Sequence, residues 1–135
     1  MDQKIHGVRA LIYHNDKLLI LKRDTFDKYD AGLWDLPGGS IMEGEDLRDA
    51  IAREILEETG IGKSEIEIKD SVGVFSGEIQ GKNFCSMFFS CISKTPKIKL
   101  SSEHIEYLWI NPKDVEKYQY GIAIRVVRHL LVKEE

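Results

Sequence analysis

Glu54, Glu57 and Glu58 fall close together near the end of the run GSIMEGEDLRDAIAREILEETGI, residues 39 to 61. If that run is helical, a rotation of about 100° per residue gathers the three onto an arc of about 100°, and their carboxylates converge on one face. Like charges at these spacings repel by a few tenths of a kcal/mol or more, and the negative end of the helix dipole opposes them again. Such a cluster asks for a positive partner. A hard divalent cation, Mg²⁺ with Mn²⁺ as the alternative, takes oxygen ligands and bridges readily to phosphate.

The elements that would position these residues are legible in the same run. Asp46 can cap the helix, with Asp49 three residues on, and Gly60 is a ready left-handed stop, so the helix is expected over residues 46 to 59. Ile61 should close over Leu56, while Ile51, Ala52, Ile55 and Leu56 should pack on the side away from the glutamates. A glutamate-rich helix is commonly just a solvated face, on which Arg53 would pair with Glu57. The stretch before it argues otherwise. Gly38, Gly39 and Gly44 allow close approach of backbone to a ligand, and Glu45 returns toward Arg53.

Gly39, five residues, Glu45, seven residues and then Arg53-Glu54-Ile55-Leu56-Glu57-Glu58-Thr59-Gly60-Ile61 resembles the signature of the Nudix hydrolases at every defining position. Pro37-Gly38-Gly39, preceded by Trp34, resembles the usual lead-in. The signature covers about a sixth of the chain, and the order of strands around it is also similar to the family. The resemblance implies an α/β/α sandwich with a mixed central sheet and a loop-helix-loop motif. It also implies hydrolysis of a diphosphate linked to another moiety, by attack of a cation-activated water on phosphorus. Glu54, Glu57 and Glu58 would bind the cation through their carboxylates, and Gly39 through its backbone carbonyl.

Arg53 reads as an orienter, its planar fork holding Glu45 or a neighbouring glutamate in place. For the general base, Glu57 and Glu58 compete with Glu103, which opens a Glu103-His104-Ile105-Glu106-Tyr107-Leu108-Trp109 stretch resembling the family's late acidic segment. Glu103 is the preferred remote carboxylate and a further cation ligand; Glu106 ranks behind it. His104 could donate to a phosphate, although a lone histidine is more often structural. One position departs from the common pattern. Many members carry glutamate three residues after the first glycine of the motif, where this chain has Met42 followed by Glu43.

With 135 residues, 42% hydrophobic and 31% charged, the chain has the make-up of one soluble domain spanning residues 1 to 135, able to bury a core without disulfides. No apolar run is long enough to span a membrane and no hydrophobic signal core opens the sequence, so a cytoplasmic protein without a membrane partner is expected. A net charge of −4 gives no support to stable nucleic-acid binding. Lys4, Arg9, Lys17, Lys22 and Arg23 read mostly as surface charges, with Lys22 or Arg23 able to reach a phosphate from a strand end. Cys85 and Cys91 would share a strand face at a separation too large to bridge, and read as buried fillers.

Val8 to Tyr13 and Lys17 to Leu21 form an expected hairpin through His14-Asn15-Asp16, residues 25 to 32 a loop, and Trp34 to Leu36 a short strand. Residues 65 to 68 and 72 to 78 read as separate strands, the latter paired through Gln80-Gly81-Lys82-Asn83 with a central, two-faced strand over 84 to 93. Residues 104 to 110 form a strand, Asn111-Pro112 starts a short helix, and Ile122, Val126 and Leu130 mark a terminal amphipathic one.

The substrate reading favours a nucleoside triphosphate, intact or oxidised, cleaved to monophosphate and pyrophosphate. Neither the proline nor the tyrosine that accompanies ADP-ribose or dinucleoside-polyphosphate specificity in relatives stands at its offset. Trp34, Phe75, Phe84 and Phe88 are stacking candidates that composition alone assigns to the core. The alternatives are a nucleotide-sugar or dinucleoside-polyphosphate hydrolase, and a nucleotide-sensing domain without turnover. Glu54, Glu57, Glu58 and Arg53 all being in place argues against the sensor, as does a chain with no expected room for a DNA-binding domain. A monomer or a homodimer fits equally.

Overall fold

The structure, a computed structural model, describes residues 4–26, 31–79 and 81–121. Its strands are β1 (Gly7–His14), β2 (Lys17–Arg23), β3 (Trp34–Asp35), β4 (Gly38–Ser40), β5 (Ile66–Ile79), β6 (Lys82–Ser93) and β7 (His104–Ile110). Helix α1 (Leu47–Thr59) sits between β4 and β5, and a 3₁₀ helix, Pro112–Lys117, follows β7. The terminal helix expected around Ile122, Val126 and Leu130 lies outside the described residues. None of the helices described is long and apolar enough to cross a membrane.

The sheet is mixed. Its order is β3-β2-β1-β6-β5, with β4 added to β1 and β7 to β2; β1 and β6 run parallel, the other strand pairs antiparallel. Asn15 and Asp16, at φ 50° and 64°, make the tight turn between β1 and β2, a conformation short polar side chains tolerate and hairpin twist prefers. That hairpin then forks. β2 pairs with Tyr13 and His14 at one end of β1, whereas β4 pairs with Gly7, Val8 and Arg9 at the other. The fork brings Gly38 and Gly39 beside α1.

Alternation along the strands divides the core into two layers. Val8, Ala10 and Ile12 of β1, Leu19 and Leu21 of β2, and Phe89 and Cys91 of β6 pack against Ala50, Ile51 and Ile55 of α1. Leu11, Leu18, Ile20 and Phe88 point the other way, to Trp34, Val115 and Tyr120. β6 is thus central and apolar on both faces, as its sequence implies. Trp34 and Phe88 belong to this second layer, with Phe75 edge-on to Phe88 at 5.2 Å. Cys85 and Cys91 are free and buried, and burial pushes the Cys91 thiol up to about 12.

Several local expectations change. Residues 38 to 40, to which the sequence assigns no strand, form β4 because β1 offers them a free edge at the fork. The two strands expected over 65 to 78 are one, β5, whose register shifts at Ser71 absorb the polar interruption at Lys69 and Asp70. At the end of α1, Gly60 takes the left-handed conformation at φ 77° and its N–H bonds to the Leu56 carbonyl. The Ile61 N–H bonds instead to Thr59 Oγ1, so the Ile61 side chain drops into the α1 layer of the core and leaves Leu56 about half exposed. Denaturant unfolding should register that difference: Ile55→Ala is expected to cost about 2–5 kcal/mol and Leu56→Ala no more than about 0.5 kcal/mol.

Candidate active site

The capped start of α1 sets the phase of everything after it. Asp46 accepts from the Arg48 N–H, which fixes Ile51 and Ile55 inward and turns Arg53, Glu54, Glu57 and Glu58 toward β4 and the turn before β7. Arg53 is the most connected side chain there. Its Nε and Nη2 donate to the two oxygens of Glu45 at 2.8 and 3.0 Å, and Nη2 also donates to the Ser40 carbonyl at 2.9 Å. Nη1 donates to Glu54 at 2.9 Å and to Glu57 at 3.3 Å. The Arg53 hydrogen bond, helped by the Met42 N–H, holds the Glu45 carboxyl down at about 2.

The three helix glutamates do not share one environment. Glu57 is half exposed, whereas Glu54 and Glu58 are buried. Burial raises Glu54 above the ordinary carboxylate range against the opposing pull of Arg53. Glu58 is pushed up to about 8 by burial, with the Gly38 N–H, donating at 2.7 Å, acting in the other direction. Gly39 has no room for a side chain, since a Cβ there would stand 2.7 Å from the Glu54 carboxylate. Ala10 bonds to the Pro37 carbonyl and Ile41 to that of His6, so strand alternation turns the peptide edge of Gly39 toward β1 and that of Gly38 toward Glu58.

Opposite α1, the turn before β7 is pinned by Asp24 N–H to the Glu103 carbonyl and by Glu103 N–H to Ser101 Oγ. It carries Glu103 to the rim of a cleft of about 440 Å³, into which Glu54, Glu57, Glu58, Gly38, Gly39 and Ser40 also face. Arg9 and Arg23 line the same cleft. Both grip the buried Asp35, Arg9 at 3.0 Å and Arg23 at 2.6 Å. The result is one depression lined by both carboxylates and guanidiniums. Ser101 and Ser102 line the cleft as well.

Glu54, Glu57, Glu58, Glu103 and Gly39 are therefore brought together, with Arg53 beside them, while Glu106 lies outside the cleft-lining set and Met42 is exposed. Arg9 and Asp35 were legible only as a charge within the apolar strand VRALIY and a carboxylate between Trp34 and Leu36, each an anomaly that asks for an opposite partner. The donor set fits a divalent cation. Of its four carboxylates those of Glu54 and Glu58 are buried, Arg53 reaches only those of Glu54 and Glu57, and all four present oxygen ligands to one cleft.

The NUDIX domain family matches residues 4–130 of the chain. The chain belongs to that family and is a pyrophosphohydrolase by class. It is 29% identical over 128 residues to the nucleoside triphosphatase NudI of Escherichia coli O139:H28 (strain E24377A / ETEC), covering 87% of this chain and 89% of that protein. Among solved structures it is similar to the MutT protein of Methanosarcina mazei Go1, with a TM-score of 0.84, 32% identity and coverage of 96% and 94% of the two chains. It is also similar to an Ap4A hydrolase of C. elegans, with a TM-score of 0.79, 25% identity and coverage of 97% and 95%.

The buried Glu58 gives the metal-free protein a defined pH response. Its folded value, about 8, lies above the ordinary 4.5, so its contribution to stability is full below about pH 4.5 and is lost as pH rises toward 8. Thermal melts in chelator should show the wild type losing stability between about pH 5 and pH 8, and Glu58→Gln losing distinctly less.

Proposed function

We propose that this chain hydrolyses a nucleoside triphosphate to the monophosphate and pyrophosphate, using Mg²⁺, or Mn²⁺ in its place, bound among Glu54, Glu57, Glu58 and Glu103. The observation that carries the reading is the one cleft of about 440 Å³ that Glu54, Glu57, Glu58 and Glu103 line together with Arg9 and Arg23. Displacement at phosphorus needs alignment and charge neutralisation more than covalent help. A bound cation supplies neutralisation and lowers the pKa of water. Similarity to the nucleoside triphosphatase NudI supports a triphosphate substrate.

Each side chain then has a task. Glu54, Glu57 and Glu58 present oxygens to the cation, together with a backbone carbonyl from Gly38 or Gly39, Gly38 being the one whose peptide edge faces Glu58. Arg53 locks Glu45, Glu54 and Glu57 in orientation, which lysine could not do with a single point charge. Glu103, exposed and on a separate turn, is placed to bind the cation or to accept the proton of the attacking water. Arg9 and Arg23, braced by Asp35 and lining the same cleft, meet the phosphate charge. Similarity to an Ap4A hydrolase keeps a dinucleoside polyphosphate as the second reading.

A panel of nucleoside triphosphates, nucleotide sugars and dinucleoside polyphosphates, assayed with Mg²⁺ for pyrophosphate and monophosphate, decides among these substrates. Turnover of triphosphates to equimolar monophosphate and pyrophosphate, abolished by chelator, is expected; saturable binding with no product would replace the enzyme reading by the sensor. Glu57→Gln and Glu58→Gln should each lower kcat by about 100-fold or more with the fold retained, and Arg53→Lys by about tenfold or more. Arg23→Ala should act chiefly on KM, raising it about tenfold. An unchanged KM in that variant would remove the arginines from the substrate site.

A further inference from the structure

His104 is buried to 4% exposure, and among the described residues neither of its ring nitrogens has a hydrogen-bond partner. An imidazole taken out of water with both nitrogens unanswered is an unfavourable element that a fold does not retain without use. Its surroundings say what the use is. Nδ1 lies 3.8 Å from Glu58 Oε2, too far for a hydrogen bond. Glu58, Glu103 and His104 each bring one ligand atom within 4.8 Å of the other two. A water hydrogen-bonded to both groups would hold them about 4.5 Å apart. Two ligands sharing one ion at about 2.2 Å stand between about 3 and 4.4 Å apart, the range in which the Glu58 and His104 atoms already lie.

We propose that Glu58, Glu103 and His104 form a mixed nitrogen and oxygen site at the inner wall of the cleft, which takes a first-row transition dication such as Mn²⁺, Co²⁺ or Zn²⁺ in preference to Mg²⁺. Imidazole suits these ions, whereas Mg²⁺ is served by carboxylate, carbonyl and water. His104 itself is not among the residues that line the open cleft; it lies behind Glu58 and Glu103, with one ligand atom of each of the three within 4.8 Å of the others. The site shares Glu58 and Glu103 with the proposed hydrolytic centre and to that extent rests on it. It differs in its nitrogen ligand and in the ion it selects, and Glu54 and Glu57 remain for a harder cation.

The test uses the full, untagged chain loaded with Mn²⁺ without nucleotide. Electron spin echo envelope modulation should show a directly bound imidazole ¹⁴N in the wild type and none in His104→Gln. Mn²⁺ binding should weaken by about tenfold or more in that variant, and Mg²⁺ binding by less than about twofold. If His104→Gln does not fold, the variant combining His6→Gln, His14→Gln and His129→Gln assigns the signal by elimination, since it should retain it. Bound Mn²⁺ without a nitrogen signal, a signal surviving His104→Gln, or equal losses of Mg²⁺ and Mn²⁺ would overturn the proposal and leave His104 as a brace for Glu58. Triphosphate hydrolysis without the nitrogen signal overturns this site alone; the signal in a chain that turns over no nucleotide overturns the hydrolytic reading alone.

Discussion

The guanidinium of Arg53 is the tie on which the site depends. It reaches the Ser40 carbonyl of β4, both oxygens of Glu45 and the carboxylates of Glu54 and Glu57, so it fastens the strand, the following turn and the helix to one planar group. Five N–H donors in a fixed fork are what make this geometry attainable. Its charge is nevertheless insufficient. Glu54 stays raised despite the contact, and Glu58, which Arg53 does not reach, is raised to about 8. The fold holds desolvated carboxylates in place without neutralising them, a condition that a folded chain sustains only where surrounding structure over-determines it.

The over-determination comes from the two core layers. Ile51 and Ile55 bind α1 to β1, β2 and β6, and the fork of β2 away from β4 gives the helix a glycine edge to lie against. Close approach is the decisive step. Gly39 is bare where the Glu54 carboxylate sits, and the Gly38 N–H is spent on Glu58. A bulkier residue at 39 would have to displace the carboxylate that Arg53 holds from the other side.

Helix α1 was legible in the sequence nearly residue by residue because its signals are local: a capping aspartate, a left-handed glycine, a 3.6-residue apolar rhythm. The hairpins and the central place of β6 were legible for the same reason. What escaped depended on partners distant in the chain. Whether residues 38 to 40 extend as a strand is decided by the edge that β1 leaves open, and whether Leu56 or Ile61 is buried by what lies beneath the end of the helix. Arg9, Arg23 and Asp35 meet across separations that no window along the chain contains. The family resemblance supplied the glutamates as a set, but it could not foretell that Glu57 would be half exposed and Glu58 buried.

That inequality bears on how such a cluster can work. If all the carboxylates were solvated, mutual repulsion would be screened and a cation held weakly; if all were buried, they would bind protons instead. Placing Glu57 and Glu103 toward water and Glu54 and Glu58 within the protein grades the site from wet to dry across one cleft. Glu57 and Glu103 would hold a divalent cation from the exposed side, and Glu58, whose carboxyl burial raises to about 8, would have to give up its proton to join them. Asp35 takes hydrogen bonds from both Arg9 and Arg23, so the two guanidiniums that share this cleft with the glutamates are anchored to a carboxylate outside the cluster.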